Sequence, residues 1–305
     1  NNFIGKGVSL DSNFLLSEES FKGKFSVTKP NHNNSDKSLY VSLLASEDDN
    51  MEKFGYKSNK TGFNIGTNFE YLDDFRLGLG TSNFYEVIKT DSTASKTQQD
   101  QKGNYWDSFL DIDFNYDKRN QKFQTSSGFL SYYAINLPLI SEKNTLRNHY
   151  NYSNYFDLFN QNISSISFML KSANSLTNDN VKLSERINIP SKKLRGFEAG
   201  RVGPKDGDDF IGGNFAAAIN FSSTLPQFFE ESQNIDLLFF FDVANIWGVD
   251  YDSALDDDGS IRSSTGFALD WFTPIGPLNF SLALPITKKN GDKTETFRFN
   301  LGTSF

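Results

Sequence analysis

The chain has 305 residues, with 30 Lys and Arg against 38 Asp and Glu for a formal net charge of −8, a pI near 4.9 and a mean hydropathy of −0.50. Its longest apolar runs, Phe215 to Ile219 and Leu237 to Phe241, hold five residues each, against roughly 20 for a spanning helix, so helical membrane spans are excluded. Cys is absent and His occurs twice, which removes disulfides, thiolate metal sites and cysteine nucleophiles; no metal, cofactor or enzymatic reaction is expected, and the acidic balance argues against nucleic acid.

The anomaly is aromatic: 31 Phe, 12 Tyr and 3 Trp. A transmembrane barrel accounts for the rings and the low hydropathy together. Its lipid face and interfacial girdles consume aromatics, while a polar lumen cancels the hydropathy signal. Alternation of period two, the mark of a strand with one apolar and one polar face, recurs along the chain. Phe63, Ile65, Thr67 and Phe69 alternate with Gly62, Asn64, Gly66 and Asn68, and Phe75, Leu77 and Leu79 with Arg76, Gly78 and Gly80. Leu110, Ile112, Phe114 and Tyr116 alternate with Asp111, Asp113, Asn115 and Asp117.

Bounded by Asn, Asp, Ser, Gly and Pro clusters, strands are predicted near 2–13, 18–29, 38–47, 61–71, 74–87, 104–117, 127–138 and 146–158. The second half adds 163–174, 182–190, 193–198, 211–224, 234–247, 261–272, 277–286 and 295–305. The expected fold is therefore all-β, a single antiparallel transmembrane barrel over residues 1–305 with sixteen strands, an even number as single-chain bacterial barrels require, closed or partly open between its first and last strands. With both termini periplasmic, 72–73, 159–162 and 273–276 are short inner turns and 48–60, 88–103, 199–210 and 248–260 long outer loops; 225–233 is a longer inner exception. A soluble sandwich or propeller would share the alternation. It would then need a second layer over its aromatic faces, and no helical segment of useful length is visible.

Residues 193–205 read KLRGFEAGRVGPK, followed by Ile211-Gly212-Gly213-Asn214. FFDVANIW follows at 240–247, IRSSTGFAL at 261–269 and WFTPIGPL at 271–278, and the chain ends in FRFNLGTSF. In this order the blocks resemble the BamA family of outer-membrane assembly factors, strongly over 193–305 and loosely between 30 and 190. The opening NNFIGKGVSLDSN is similar to that family's first barrel strand. The resemblance implies periplasmic POTRA domains upstream of Asn1, absent from this chain. It implies unfolded outer-membrane β-barrel proteins as clients, the lipid bilayer and accessory lipoproteins as partners, and the bacterial outer membrane as location.

The resemblance also implies site residues. Arg195, Gly196 and Phe197 form the RGF motif of a loop folded into the lumen, where the guanidinium needs a carboxylate because a buried unpaired charge is costly; Asp242 is its implied partner. A second acid common in the family is replaced by Ser222 on the preceding strand. Gly203, Gly212, Gly213 and Gly302 are further glycines it marks. The implied functional centre is a lateral seam of Phe3, Ile4, Gly5, Lys6, Gly7 and Val8 against Phe297, Phe299, Leu301, Gly302, Thr303 and Phe305. There, glycines weaken packing, and an exposed edge accepts a client strand by β-augmentation. The rivals are a passive porin-like channel and a related transporter of the TamA or two-partner secretion type, which shares the RGF loop. Asp256–Gly259 lacks the spacing of a calcium loop, Asp111 and Asp113 suit any polar lumen, and His32 and His149 carry no assignment.

Overall fold

The computed structural model describes residues 7–17, 19–122, 124–159, 162–225, 234–251, 255, 259–273 and 276–301. Nine strands precede the longest loop: β1 (Ser9–Leu16), β2 (Ser20–Lys29), β3 (Ser38–Asn50), β4 (Tyr56–Leu72), β5 (Phe75–Thr90), β6 (Gly103–Asp117), β7 (Gly128–Ile140), β8 (Thr145–Phe159) and β9 (Asn162–Ser175). The loop carries a two-residue hairpin, β10 (Lys205–Asp206) with β11 (Asp209–Phe210). Then follow β12 (Phe215–Thr224), β13 (Ile235–Trp247), β14 (Arg262–Thr273), β15 (Gly276–Thr287) and β16 (Phe297–Leu301).

Fourteen of these sixteen β segments form one antiparallel sheet in which each strand pairs with its sequence neighbour, and β9 pairs with β12 across the loop. Most of its strands exceed the roughly 9–11 tilted residues that cross a bilayer. Turn chemistry fixes the tightest connection: between β4 and β5 only Asp73 and Asp74 remain, and Asp74 takes a left-handed φ of 62°, the geometry two-residue hairpins demand. Because the sheet strands are antiparallel and even in number, Ser9 and Leu301 lie at one end. Connections 91–102, 176–214 and 248–261 lie at the other, called the far end below.

The period-two pattern became an outer apolar face. Phe75 meets Phe114 at 6.2 Å between ring centroids and Phe114 stacks on Tyr133 at 6.2 Å, while Tyr116 meets Phe129 at 5.2 Å. Toward the far end, Tyr85 pairs across strands with Trp106, both half-exposed, and Phe215 stacks on Trp247 at 5.9 Å. Rings near both ends of the strands, with aliphatic side chains such as Ile65 and Leu79 between them, make the outside of a transmembrane barrel. The inner face is polar, with Ser26 bonded to Ser42 at 2.9 Å, Ser165 to Ser222 at 2.8 Å and Asn136 to Asp111 at 2.5 Å.

Two expected strands, 182–190 and 193–198, are instead part of the loop, which makes 3₁₀ turns at Leu183–Glu185 and Ser191–Lys193. Val181, Leu183, Ile187 and Ile189 are buried against the inner wall while Lys182 and Arg186 reach charged partners. A loop packed on a wall thus alternates as a strand does. The first strand, expected at 2–13, is described as Ser9–Leu16, with Gly7 at φ 67° ahead of it. Of the seam, Phe3, Ile4, Gly5, Lys6, Gly302, Thr303 and Phe305 lie outside the described residues, as does the 226–233 stretch of the inner turn.

Candidate functional site

The loop of residues 176–214, here the RGF loop, reaches inward-facing residues of β5, β6, β9 and β12–β16, so the concave face of the sheet curls round it. Its apolar side supplies Val181, Ile187, Ile189, Leu194, Phe197 and Val202, which cluster with wall residues Met169, Ala173, Ala216, Ala218, Ala244 and Ile246. Several of the wall residues are small. Ala216, Ala218 and Ala244 occupy inward positions of β12 and β13, and their short side chains share one buried cluster with Phe197, 1 % exposed. Burying such a ring is worth on the order of 1.5–3 kcal/mol.

Arg195 donates through Nε to Asp242 Oδ2 and through Nη2 to Oδ1, both at 2.8 Å, and its backbone N–H reaches Oδ2 at 3.0 Å. The guanidinium lies 3.5 Å from the Phe240 ring centroid. Asp242 is fully buried, and a carboxylate removed from water needs hydrogen-bond donors of this kind to offset its lost hydration. One further donor is Asn220 on β12, whose Nδ2 reaches Asp242 Oδ1 at 2.9 Å and the Lys193 carbonyl at 3.0 Å. Ser222, the residue aligned with the family's second acid, faces Ser165 instead. Asn220 and Ser222 share the inward parity of β12, and the sequence alone did not say which of them meets Asp242.

Gly196 has φ 88°, and a Cβ there would lie 3.1 Å from Ala283 Cβ and 3.4 Å from Ser264 Cβ. It therefore serves both the left-handed turn and the close approach to β14 and β15. Gly203, at φ 100°, would place a Cβ 2.4 Å from Ile246.

A second charged anchor was not foreseen. Lys182, fully buried, lies 3.3 Å from Glu86 and 3.7 Å from Glu185, bonds Asp107, and stands 5.0 Å from the Tyr105 ring centroid. Burial alone would pull its pKa down; Glu185, Glu86 and Asp107 together push it above the ordinary lysine value. Arg186 pairs with Asp250, donates to Asn214 at 2.9 Å and stands over the Tyr251 ring. Charged residues within an alternating apolar run were the only sequence signal. The loop is thus pinned at two places, Lys182–Arg186 and Arg195–Phe197.

On the terminal side of the loop a cavity of about 1000 Å³ remains in the lumen, with Lys171, Lys192 and Lys193 among its lining and Asp236 and Asp270 also on it. Among the described residues no group of three or more His, Cys, Asp or Glu is arranged to hold a metal ion. Of the seam residues, Phe297 and Phe299 lie on β16 with exposed side chains, and Leu301 pairs with Leu278.

The Omp85 superfamily domain matches residues 2–305. An outer membrane protein assembly factor BamA of Neorickettsia risticii is 24% identical over 257 residues, covering 82% of this chain and 34% of its own. BamA of Nitratidesulfovibrio vulgaris is 24% identical over 324 residues, covering all of this chain and 39% of its own. The crystal structure of Haemophilus ducreyi BamA lacking POTRA domains 1–3 superimposes with a TM-score of 0.87 at 24% identity, over 98% of this chain and 65% of that one. The fold is that of the BamA barrel, and the chain spans little more than a third of the length of these curated relatives.

Proposed function

The chain belongs to the Omp85 superfamily, and from that premise we propose that it folds and inserts β-barrel proteins into the bacterial outer membrane through a lateral seam between its first and last strands. The observation that carries this reading against a passive channel is the docked RGF loop. Arg195 held on buried Asp242, together with the buried Lys182 centre, fills the far half of the lumen with packed, paired side chains. A passive channel has no use for such a plug, and an inserting barrel gains a stiff wall against which only the seam is free to move.

A client strand pairs with the edge of the first strand, and successive hairpins enter the bilayer with their backbone groups satisfied, as the hydrocarbon demands. Release follows when the client closes on itself. No bond is made or broken and the chain is not an enzyme. The termini face the periplasm, where POTRA domains ahead of the barrel reach the accessory lipoproteins.

The test uses the full-length protein in proteoliposomes with an unfolded barrel client whose folding is followed by protease resistance. Cysteines replace Val8 and, in turn, Phe297, Phe299 or Leu301, so that one pair locks the seam. The expected result is accelerated client folding that the lock abolishes and a reductant restores. Client folding no faster than in empty liposomes, with steady ion conduction, would replace this reading with that of a channel.

A further inference from the structure

We infer that the RGF loop is a register stop for whatever strand pairs with the seam edge of β16, and that Phe297 is the outermost residue to which such a strand can bond. The inference rests on the seam reading above and adds to it where pairing must end. The connection 288–296, between β15 and β16, is held from two sides. On one, the Thr296 carbonyl accepts from Ala283 N at 2.8 Å, which continues the ladder with β15.

On the other side, Glu295 N donates to the Gly196 carbonyl at 3.1 Å, Glu198 N to the Lys293 carbonyl at 3.0 Å and Lys293 N to the Arg201 carbonyl at 3.0 Å, around an antiparallel bridge between Phe197 and Thr294. The loop is therefore laid antiparallel along the run-in to β16 through this single bridge. Side chains secure it: Arg298 Nη2 donates to the Phe197 carbonyl at 3.1 Å and its Nε pairs with Glu295, while Arg262 holds Asp292 through Nε at 2.9 Å and Nη2 at 3.1 Å.

In an antiparallel ladder, residues alternate between bonding a neighbour on one edge and on the other. Thr296 bonds β15, so Phe297, Phe299 and Leu301 turn their N–H and C=O groups away from β15, toward the seam. Lys293 and Glu295 share that parity, but the Glu295 N–H is already taken by Gly196, and the Lys293 N–H and C=O by Arg201 and Glu198. An extended client segment, or the chain's own first strand, meets backbone donors and acceptors at 297, 299 and 301 that have no partner among the described residues, and a bonded chain beyond them. Register on a flat edge is otherwise weakly specified and prone to slip. A backbone obstacle at one end fixes it for every client, independent of client sequence.

The experiment places single cysteines at Lys293, Glu295, Phe297 and Phe299 of the full-length protein, all on one side of the strand by parity. Each is tested in proteoliposomes for disulfide formation with cysteines scanned along the first strand of a folding client, the one left to face β16 while the client's last strand is held on the first strand of the seam. Disulfides are expected at 297 and 299, with yields at 293 and 295 lower on the order of tenfold, since pairing there must break existing hydrogen bonds. Gly196→Ala, strained at φ 88° and tight against Ala283, should extend client disulfides to 295; Arg298→Met, which leaves the loop turn intact, should do so to a smaller degree.

Equal yields at 293 and 297 in the unaltered protein, or a register that neither variant shifts, would overturn the stop while leaving the seam. Absence of client disulfides at all four positions would overturn the stop, while the seam lock between Val8 and β16 decides the seam reading separately. Should Gly196→Ala fail to fold, Arg298→Met carries the comparison.

Discussion

Asp242 is fully buried and takes two of the Arg195 N–H groups besides the Arg195 backbone and Asn220. Removing the guanidinium leaves the carboxylate with the remaining two donors, so Arg195→Ala should cost about 3–5 kcal/mol, read as lowered stability to denaturant in detergent. Asn220→Ala should cost less, and a double-mutant cycle with Arg195→Ala should show coupling, since the two share one acceptor. At the loop tip, burial and the neighbouring Asp206, Asp91 and Asp208 raise the pKa of Asp209, with Lys205 opposing. A raised carboxyl pKa adds stability below its unfolded value and loses it as pH climbs through the folded one. The 205–210 hairpin should therefore show lower amide-exchange protection factors, taken relative to the intrinsic exchange rate at each pH, at pH 7 than at pH 4, and Asp209→Asn should flatten that difference.

Among the elements, the RGF loop and the strands fail in different ways. Lys182 stands among Glu86, Asp107 and Glu185 inside the far mouth, and Lys60 also lies 3.3 Å from Glu86. Lys182→Met keeps the apolar stem but leaves three acids crowded together. Limited proteolysis should then cut within 176–214 while the sheet stays resistant, since sheet pairing does not depend on the loop's charge. On β6 the parity is decisive. Ile112 faces out and Asp111 in, with Asp111 bonded to Asn136; Ile112→Arg should lower folding stability in bilayers by about 2–4 kcal/mol if it sits near the midplane. An equally charged substitution at Asp113, facing the wet lumen, should cost much less. Alternation of one face against the other in the sequence is enough to place both residues.

For the whole molecule, the far half of the lumen is packed by a loop and the terminal half holds a cavity. Single-channel recordings should therefore show small conductance for the intact protein and larger, noisier conductance for Lys182→Met combined with Arg195→Ala, because two anchors rather than one hold the plug. The amino-acid sequence by itself determined the strands, their facing and the barrel class, since period-two patterning and turn residues act within a dozen positions. It also carried the RGF motif and, through resemblance, Asp242. Only the tertiary structure decided that the 182–198 stretch is a docked loop: its buried apolar side and charged side imitate a strand when read without the wall. The same holds for Asn220 in place of Ser222, for Lys182 among acids from β5 and β6, and for the loop's bonds to 293–295. Each of these joins residues tens to over a hundred positions apart, and such contacts depend on how the sheet rolls round the loop, which no local pattern encodes.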